Sequence, residues 1–481
     1  MEKKKVTMVV VAMFLPIVFE CASCAADAQR SSTDKPDRAG SAVYGQNGVI
    51  KGSNGSVSFE IKPQYSSVLA NTKGELNVLL QLEGKTATIK RQPLDLAVVI
   101  DRSGSMTGDK IASVKAAALE LLKKLDKDDQ VTLISYSDNV SVHTRSTRMN
   151  PAGRKSLRNH ILRIHSGGST ALGPATIQAL SILSSKKHRA HVLRHVMLLS
   201  DGLANKGESS PAVLGNYTSL AFGNGVSLST LGVGLDYNED LMTHLADQGG
   251  GQYHFINDDT MIATVLDGEL SGLMATVARE MNLKIKTAQG VTVKKVFGYP
   301  MSKKGGNIVK VGSIRAGQKR DIVVQLTIDP GVKPSLSIGE MKLRFKDVIN
   351  DGAVAETTME PRVGVSNDRL AIANSENTEV TVRVAEVESA KELEIAARSV
   401  DQGDFMGAEK IIDGTIHKLR KQAELTPSKQ LDRQLSEMQQ ARSDIKKAKT
   451  SKRARKRYVK GKKSSAYKRG KSSQSFDSLM K

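Results

Sequence analysis

Tryptophan is absent from this 481-residue chain, and aromatic residues make up only 4% of it. Base stacking, a usual device for holding single-stranded nucleic acid, therefore has little to work with. Cysteine occurs twice, as Cys21 and Cys24, both near the amino terminus. Beyond them no thiol is left for a disulfide framework, a thiolate metal site or a cysteine nucleophile. After the first 20 residues no apolar run is long enough to span a bilayer. Also missing are a Gly-x-Ser-x-Gly elbow, a His-Glu-x-x-His pair and a phosphate-binding Gly-x-x-x-x-Gly-Lys-Ser/Thr loop. These absences argue against the common hydrolase, metalloprotease and nucleotidase sites.

Charge, in contrast, is abundant and uneven. The formal net charge is +21. Between Lys446 and Lys471 there are 14 basic residues and no acid. That stretch accounts for most of the imbalance, so the rest of the chain is only mildly basic and the tail is a separate electrostatic object.

The amino terminus reads as an export signal. Lys3, Lys4 and Lys5 are followed by apolar residues 6–19, broken only by Thr7 and Pro16, and then by Ala26-Asp27-Ala28. Small residues at those two alanine positions suit a signal peptidase. Residues 1–28 are thus expected to be a signal peptide, placing the protein in the periplasm, at a membrane or on the cell surface. An uncleaved anchor is the plain alternative. Ala22-Ser23-Cys24 offers lipidation at Cys24 as another, although Cys21 stands where such a motif prefers leucine.

Residues 29–51 are polar and read as a linker. Residues 52–92 contain β-rich runs such as Val57 to Ile61 and Glu75 to Leu82. Across 93–278 strand and helix patterns alternate, which implies a doubly wound, mostly parallel α/β sheet. Residues 279–370 lose helical periodicity and read as a β-sandwich. The early strands are expected to join that sandwich, which makes the α/β domain an insertion. Residues 378–447 read as a helical region with one hairpin of the tetratricopeptide kind, and 448–481 as a basic disordered tail.

One segment carries chemistry. Residues 94–100, Leu-Asp-Leu-Ala-Val-Val-Ile, form a buried-strand pattern that ends in Asp101, Ser103 and Ser105. Ligands of open α/β sheets sit just beyond the carboxyl ends of such strands. Hard oxygens at alternating positions suit Mg²⁺, Ca²⁺ or Mn²⁺. Two further segments add Thr170, in a Gly-rich turn, and Asp201, at the end of a second core strand. His188, His191 and His195 cluster before that strand and read as a solvated basic loop, since nothing completes a zinc set.

Asp101, Ser103, Ser105, Thr170 and Asp201 resemble the metal-ion-dependent adhesion site of von Willebrand factor type A domains. That site is an Asp-x-Ser-x-Ser run, a Thr from a second loop and an Asp from a third. The resemblance covers roughly residues 94–278 and is closest to exported bacterial members. It implies a divalent cation, Mg²⁺ first among the three, held by the hydroxyls of Ser103, Ser105 and Thr170, with Asp101 and Asp201 acting directly or through water. It also implies a protein partner that supplies an acidic residue to the cation, and no catalysis. A phosphoaspartyl enzyme would want a second Asp where Ser103 stands. The expected function is therefore metal-dependent binding of a protein ligand in the cell envelope. The alternative is a scaffold or assembly factor that acts through the helical hairpin and tail, with the metal only structural. The basic tail could engage an anionic envelope surface. Export argues against nucleic acid as its partner, and only Tyr458 and Tyr467 interleave with its charge.

Overall fold

The computed structural model describes residues 41–44, 48–86, 91–185, 191–303 and 305–471. The expected signal peptide and Cys24 lie outside the described residues, as does His188. Five strands precede the α/β domain: β1 (Ser41–Tyr44), β2 (Ile50–Asn54), β3 (Val57–Pro63), β4 (Ser67–Leu69) and β5 (Gly74–Gly84). β1 pairs with β2, so the segment expected as a linker already contains a sheet-edge strand.

The α/β domain holds β6 (Leu94–Asp101), α1 (Asp109–Lys124), β7 (Gln130–Tyr136), β8 (Val140–Arg148), α2 (Pro151–Leu162), α3 (Leu172–Ser184), β9 (Leu193–Ser200), α4 (Pro211–Gly223), β10 (Val226–Val233), α5 (Glu239–Gln248), β11 (Gly250–Ile256) and α6 (Ile262–Met274). Its sheet runs β11-β10-β9-β6-β7-β8, parallel except for the edge strand β8. Every residue of β6 is buried. Its side chains alternate between two cores, because successive residues of a strand point to opposite faces. Leu94, Leu96, Val98 and Ile100 pack with α1 and α6, while Ala97 and Val99 pack with α3 and α4. A strand covered on both faces reads as the continuous apolar run seen in the sequence.

The sandwich continues with β12 (Thr276–Thr287), β13 (Val291–Val296), β14 (Met301–Ser302), β15 (Ile308–Arg315), β16 (Lys319–Ile328), β17 (Ser335–Ser337), β18 (Gly339–Asp347), β19 (Ala353–Met359) and β20 (Arg362–Ser366). Two large sheets, β1-β2-β3-β5-β16-β13 and β14-β15-β12-β18-β19, close over one core containing Ile61, Leu80, Leu283, Leu343 and Phe345. β5 pairs antiparallel with β16 along its whole length, from Gly74 opposite Ile328 to Glu83 opposite Lys319. The α/β domain is thus inserted into the sandwich, as the sequence suggests.

Five helices follow: α7 (Arg369–Asn374), α8 (Thr378–Asp401), α9 (Phe405–Leu425), α10 (Lys429–Ala448) and α11 (Lys452–Lys471). Val380, Val384 and Val387 of α8 pack on Leu79, Phe297 and Val323 of the sandwich. α8 and α9 form the expected hairpin around a Gly403 at φ +86°. The disordered-tail expectation is corrected for residues 452–471. They form α11, which buries Tyr458, Val459 and Ala466. Acids of the same chain pair with five of its basic residues: Lys456 with Asp236 (2.5 Å), Lys463 with Asp240 (3.0 Å), Lys462 with Asp444 (3.0 Å), Lys471 with Asp247 and Arg469 with Glu437. Among the described residues, no helix is long and apolar enough to cross a membrane.

Candidate functional site

Three loops meet at the carboxyl end of the parallel sheet. β6 delivers Asp101 fully buried at its tip. The chain then turns back on that carboxylate, with the Ser103 amide donating to Asp101 Oδ1 at 2.8 Å. A single 3₁₀ turn at Gly104–Met106 carries Ser105 outward before α1 begins. The second loop clasps the first. The Gly104 amide donates to Gly168 O at 3.0 Å, and the Gly167 amide to Arg102 O at 2.7 Å. Gly168 has φ +83°, and a Cβ there would lie 2.2 Å from Asp138 Oδ2, so this turn requires glycine.

Thr170 is fixed through its backbone, whose amide donates to Asn205 Oδ1 at 2.8 Å. Asn205 belongs to the third loop, which follows β9 and brings Asp201, also fully buried. Ser105 Oγ donates to Asp201 Oδ1 at 2.6 Å, and Ser103 Oγ and Ser105 Oγ share a 3.1 Å hydrogen bond. A Cβ on Gly202 would lie 2.9 Å from Thr170 Oγ1, 3.4 Å from Ser105 Oγ and 3.7 Å from Ser103 Oγ. Three hydroxyls from two loops thus converge beside one bare backbone carbon. All five residues singled out from the sequence meet in this crevice.

The electrostatics follow from burial. Burial raises the Asp101 carboxyl above its ordinary range, against the pull of hydrogen bonds from Ser103 and Ser200, and the nearby Asp201 charge adds to the rise. Ser200 Oγ donates to Asp101 Oδ2 at 2.8 Å. Below it, burial pushes the Tyr136 phenol well above its usual range, and its hydroxyl donates to Leu199 O at 2.8 Å. On the other carboxylate, Lys110 Nζ sits 2.5 Å from Asp201 Oδ2.

Sequence reasoning missed Ser200, Lys110, Asn205 and Asp138. Ser200 and Asn205 flank Asp201 within six residues and could have been read as its supports. Lys110 lies five residues after Ser105, in the first turn of α1, where only the folded helix aims it back. The solvated-loop expectation for the histidines is corrected for His195. It lies within β9 at 2% exposure, with Nδ1 bonded to Ser227 Oγ at 2.7 Å and Nε2 3.5 Å from Glu269. Burial alone would raise the Glu269 carboxyl, yet His195 and His254 hold it well below the usual range. Among the described residues, no three His, Cys, Asp or Glu side chains group as metal ligands.

The von Willebrand factor type A domain model matches residues 95–267. The uncharacterised protein YfbK of Escherichia coli is 27% identical over 259 residues, which are 52% of this chain and 44% of that one. The chain thus spans under half the length of that relative. An uncharacterised protein of Synechocystis is 22% identical over 332 residues, 66% of this chain and 77% of that one. A solved structure of a von Willebrand factor type A protein from Catenulispora acidiphila superposes with a TM-score of 0.68 at 17% identity, covering 86% of this chain and 97% of that one. The likeness thus extends beyond the α/β domain to most of the described architecture.

Proposed function

We propose that the von Willebrand factor type A domain of this chain, a protein-interaction module, binds a protein ligand through a divalent cation held by Asp101, Ser103, Ser105, Thr170 and Asp201. The observation that carries this reading is the convergence of three hydroxyls beside Gly202, flanked by two buried carboxylates. A donor set of neutral hydroxyls and few charges fits a hard cation such as Mg²⁺, with Ca²⁺ and Mn²⁺ as alternatives. When bound, such a cation supplies a Lewis-acidic centre able to take a carboxylate from outside. The chain's own residues do the rest. Ser200 and the Ser103 amide hold Asp101, Asn205 holds Thr170, and Ser105 orients Asp201. The reading is of a binding protein and not an enzyme. The signal-peptide pattern of residues 1–28 supports a site of action outside the cytoplasm, and in this proposal the acid that completes the site comes from the partner.

Calorimetric titration of Mg²⁺, Mn²⁺ and Ca²⁺ into the full chain tests the cation. Binding by the wild type, weakened by at least roughly tenfold in Ser105→Ala and Thr170→Ala, is expected. No binding by the wild type would sink the reading. Pull-downs with and without EDTA then separate the two functions, because partner capture that ignores EDTA favours a scaffold.

A further inference from the structure

Lys110 connects the crevice to a part of the molecule far away in sequence. Its Nζ lies 2.5 Å from Asp201 Oδ2 and 3.3 Å from Ser105 O. It also rests against the loop after β10, where a Cβ on Gly234 would be 3.6 Å from it. Two residues along that loop, Lys456 of α11 bonds Asp236 at 2.5 Å, and with the charges of Lys110 and Lys460 it holds that carboxyl below its usual range. α11 then follows the α5 side of the domain. Lys460 donates to Tyr237 O at 3.0 Å and stands 3.7 Å from the Tyr237 ring centre, Lys463 pairs with Asp240, and Tyr467 bonds Asp247 at 3.1 Å. One short loop, residues 234–236, therefore touches both the resident ammonium of the crevice and the carboxy-terminal helix.

We propose that Lys110 is an internal cation competing with a divalent ion for Asp201, and that α11 sets the strength of this competition through Asp236. While α11 is docked, Lys456 neutralises Asp236 and Lys110 remains on Asp201. When α11 lifts, Asp236 becomes a second seat for Lys110 and the carboxylate of Asp201 is released to the ion. This inference rests on the cation reading of the site and names its regulation.

The test is Mn²⁺ calorimetry on the full chain at constant ionic strength, with wild type, Lys110→Met, Lys456→Ala and the double variant. Lys110→Met should tighten Mn²⁺ about tenfold and Lys456→Ala about threefold, with no further gain in the double variant, since coupled residues are not additive. Lys110→Arg, which keeps the charge, should restore the wild-type affinity. A purely structural lysine would instead weaken binding when lost. The coupling is overturned if wild type binds Mn²⁺ and Lys110→Met binds no tighter, or if Lys456→Ala gains equally with and without Lys110. Absence of binding by the wild type would instead remove the cation reading itself. Should Lys110→Met fail to fold, Lys456→Ala against Lys456→Ala/Asp236→Asn carries the same test. The Asn substitution must then abolish the gain.

Discussion

β6 and α11 stand at opposite ends of the composition scale, yet both are packed. β6 is eight consecutive buried residues, nearly all apolar. α11 begins Lys-Arg-Ala-Arg-Lys-Arg and has no acid of its own. The strand buries itself because transfer of its side chains from water is favourable against any apolar neighbour. The helix is held by particular partners: Asp236, Asp240 and Asp247 on one flank, Asp444 and Glu437 on the other, and a small apolar seam of Tyr458, Val459 and Ala466. Non-directional burial can be read from one segment. Charge matching needs both segments, and Asp236 lies 220 residues from Lys456 in sequence.

The comparison can be broken first on the strand. Leu96 is fully buried between β6 and the α1 and α6 helices. Leu96→Ala should cost about 2–5 kcal/mol, from lost transfer energy and the cavity left behind. Urea unfolding measures it, and a cost under ~1 kcal/mol would mean that the core had closed over the gap.

The α11 seam should instead respond to pH. Burial pushes the Glu239 carboxyl up to about 7, against the pull of Lys460 and Lys463. Between 4.5 and 7 the folded chain keeps a proton that the unfolded chain gives up, so stability falls as pH rises through that window. The loss is on the order of 3 kcal/mol and is complete above pH 7. Burial pushes the Lys460 ammonium down to about 8. From there to 10.5 the unfolded chain holds the extra proton, and stability climbs again. Hydrogen exchange of the α11 amides should thus be fastest between pH 7 and 8, after correction for the intrinsic rate. Glu239→Gln should flatten the acid limb, and an unchanged profile would contradict the assignment.

The smallest effect sharpens the contrast. Lys463→Ala should cost under ~1 kcal/mol, because Asp240 is largely exposed and such pairs are weak. Raising NaCl from 0.1 to 1 M cuts the screening length from about 10 to about 3 Å, so α11 should become more protease-sensitive while the strand core does not change. A salt-indifferent α11 would show that its apolar seam, not its charge, holds it.

Asp101, Ser103, Ser105 and Asp201 were legible because each ends or follows a strand whose apolar run is itself legible, and Thr170 because it stands in a Gly-rich turn before a helix. The insertion was legible because β-rich runs stand on both sides of the alternating region. Lys110 and Asp138 were not, since their side chains act across loops that only the fold brings together. His195 was misread for the same reason: its partners Ser227 and Glu269 come from a later strand and helix. The tail was misread because a run of like charge favours solvation when taken alone.

By itself the sequence determined the parallel sheet, the two faces of its core and the five residues at its carboxyl end. These follow from local periodicity and from strand ends that terminate in oxygen. Only the tertiary structure decided where the ammonium of Lys110 sits, that a basic helix closes the side of the domain, and that the loop at residues 234–236 lies between them. Electrostatic partners are set by distance in space, and distance in space is what a linear pattern does not contain.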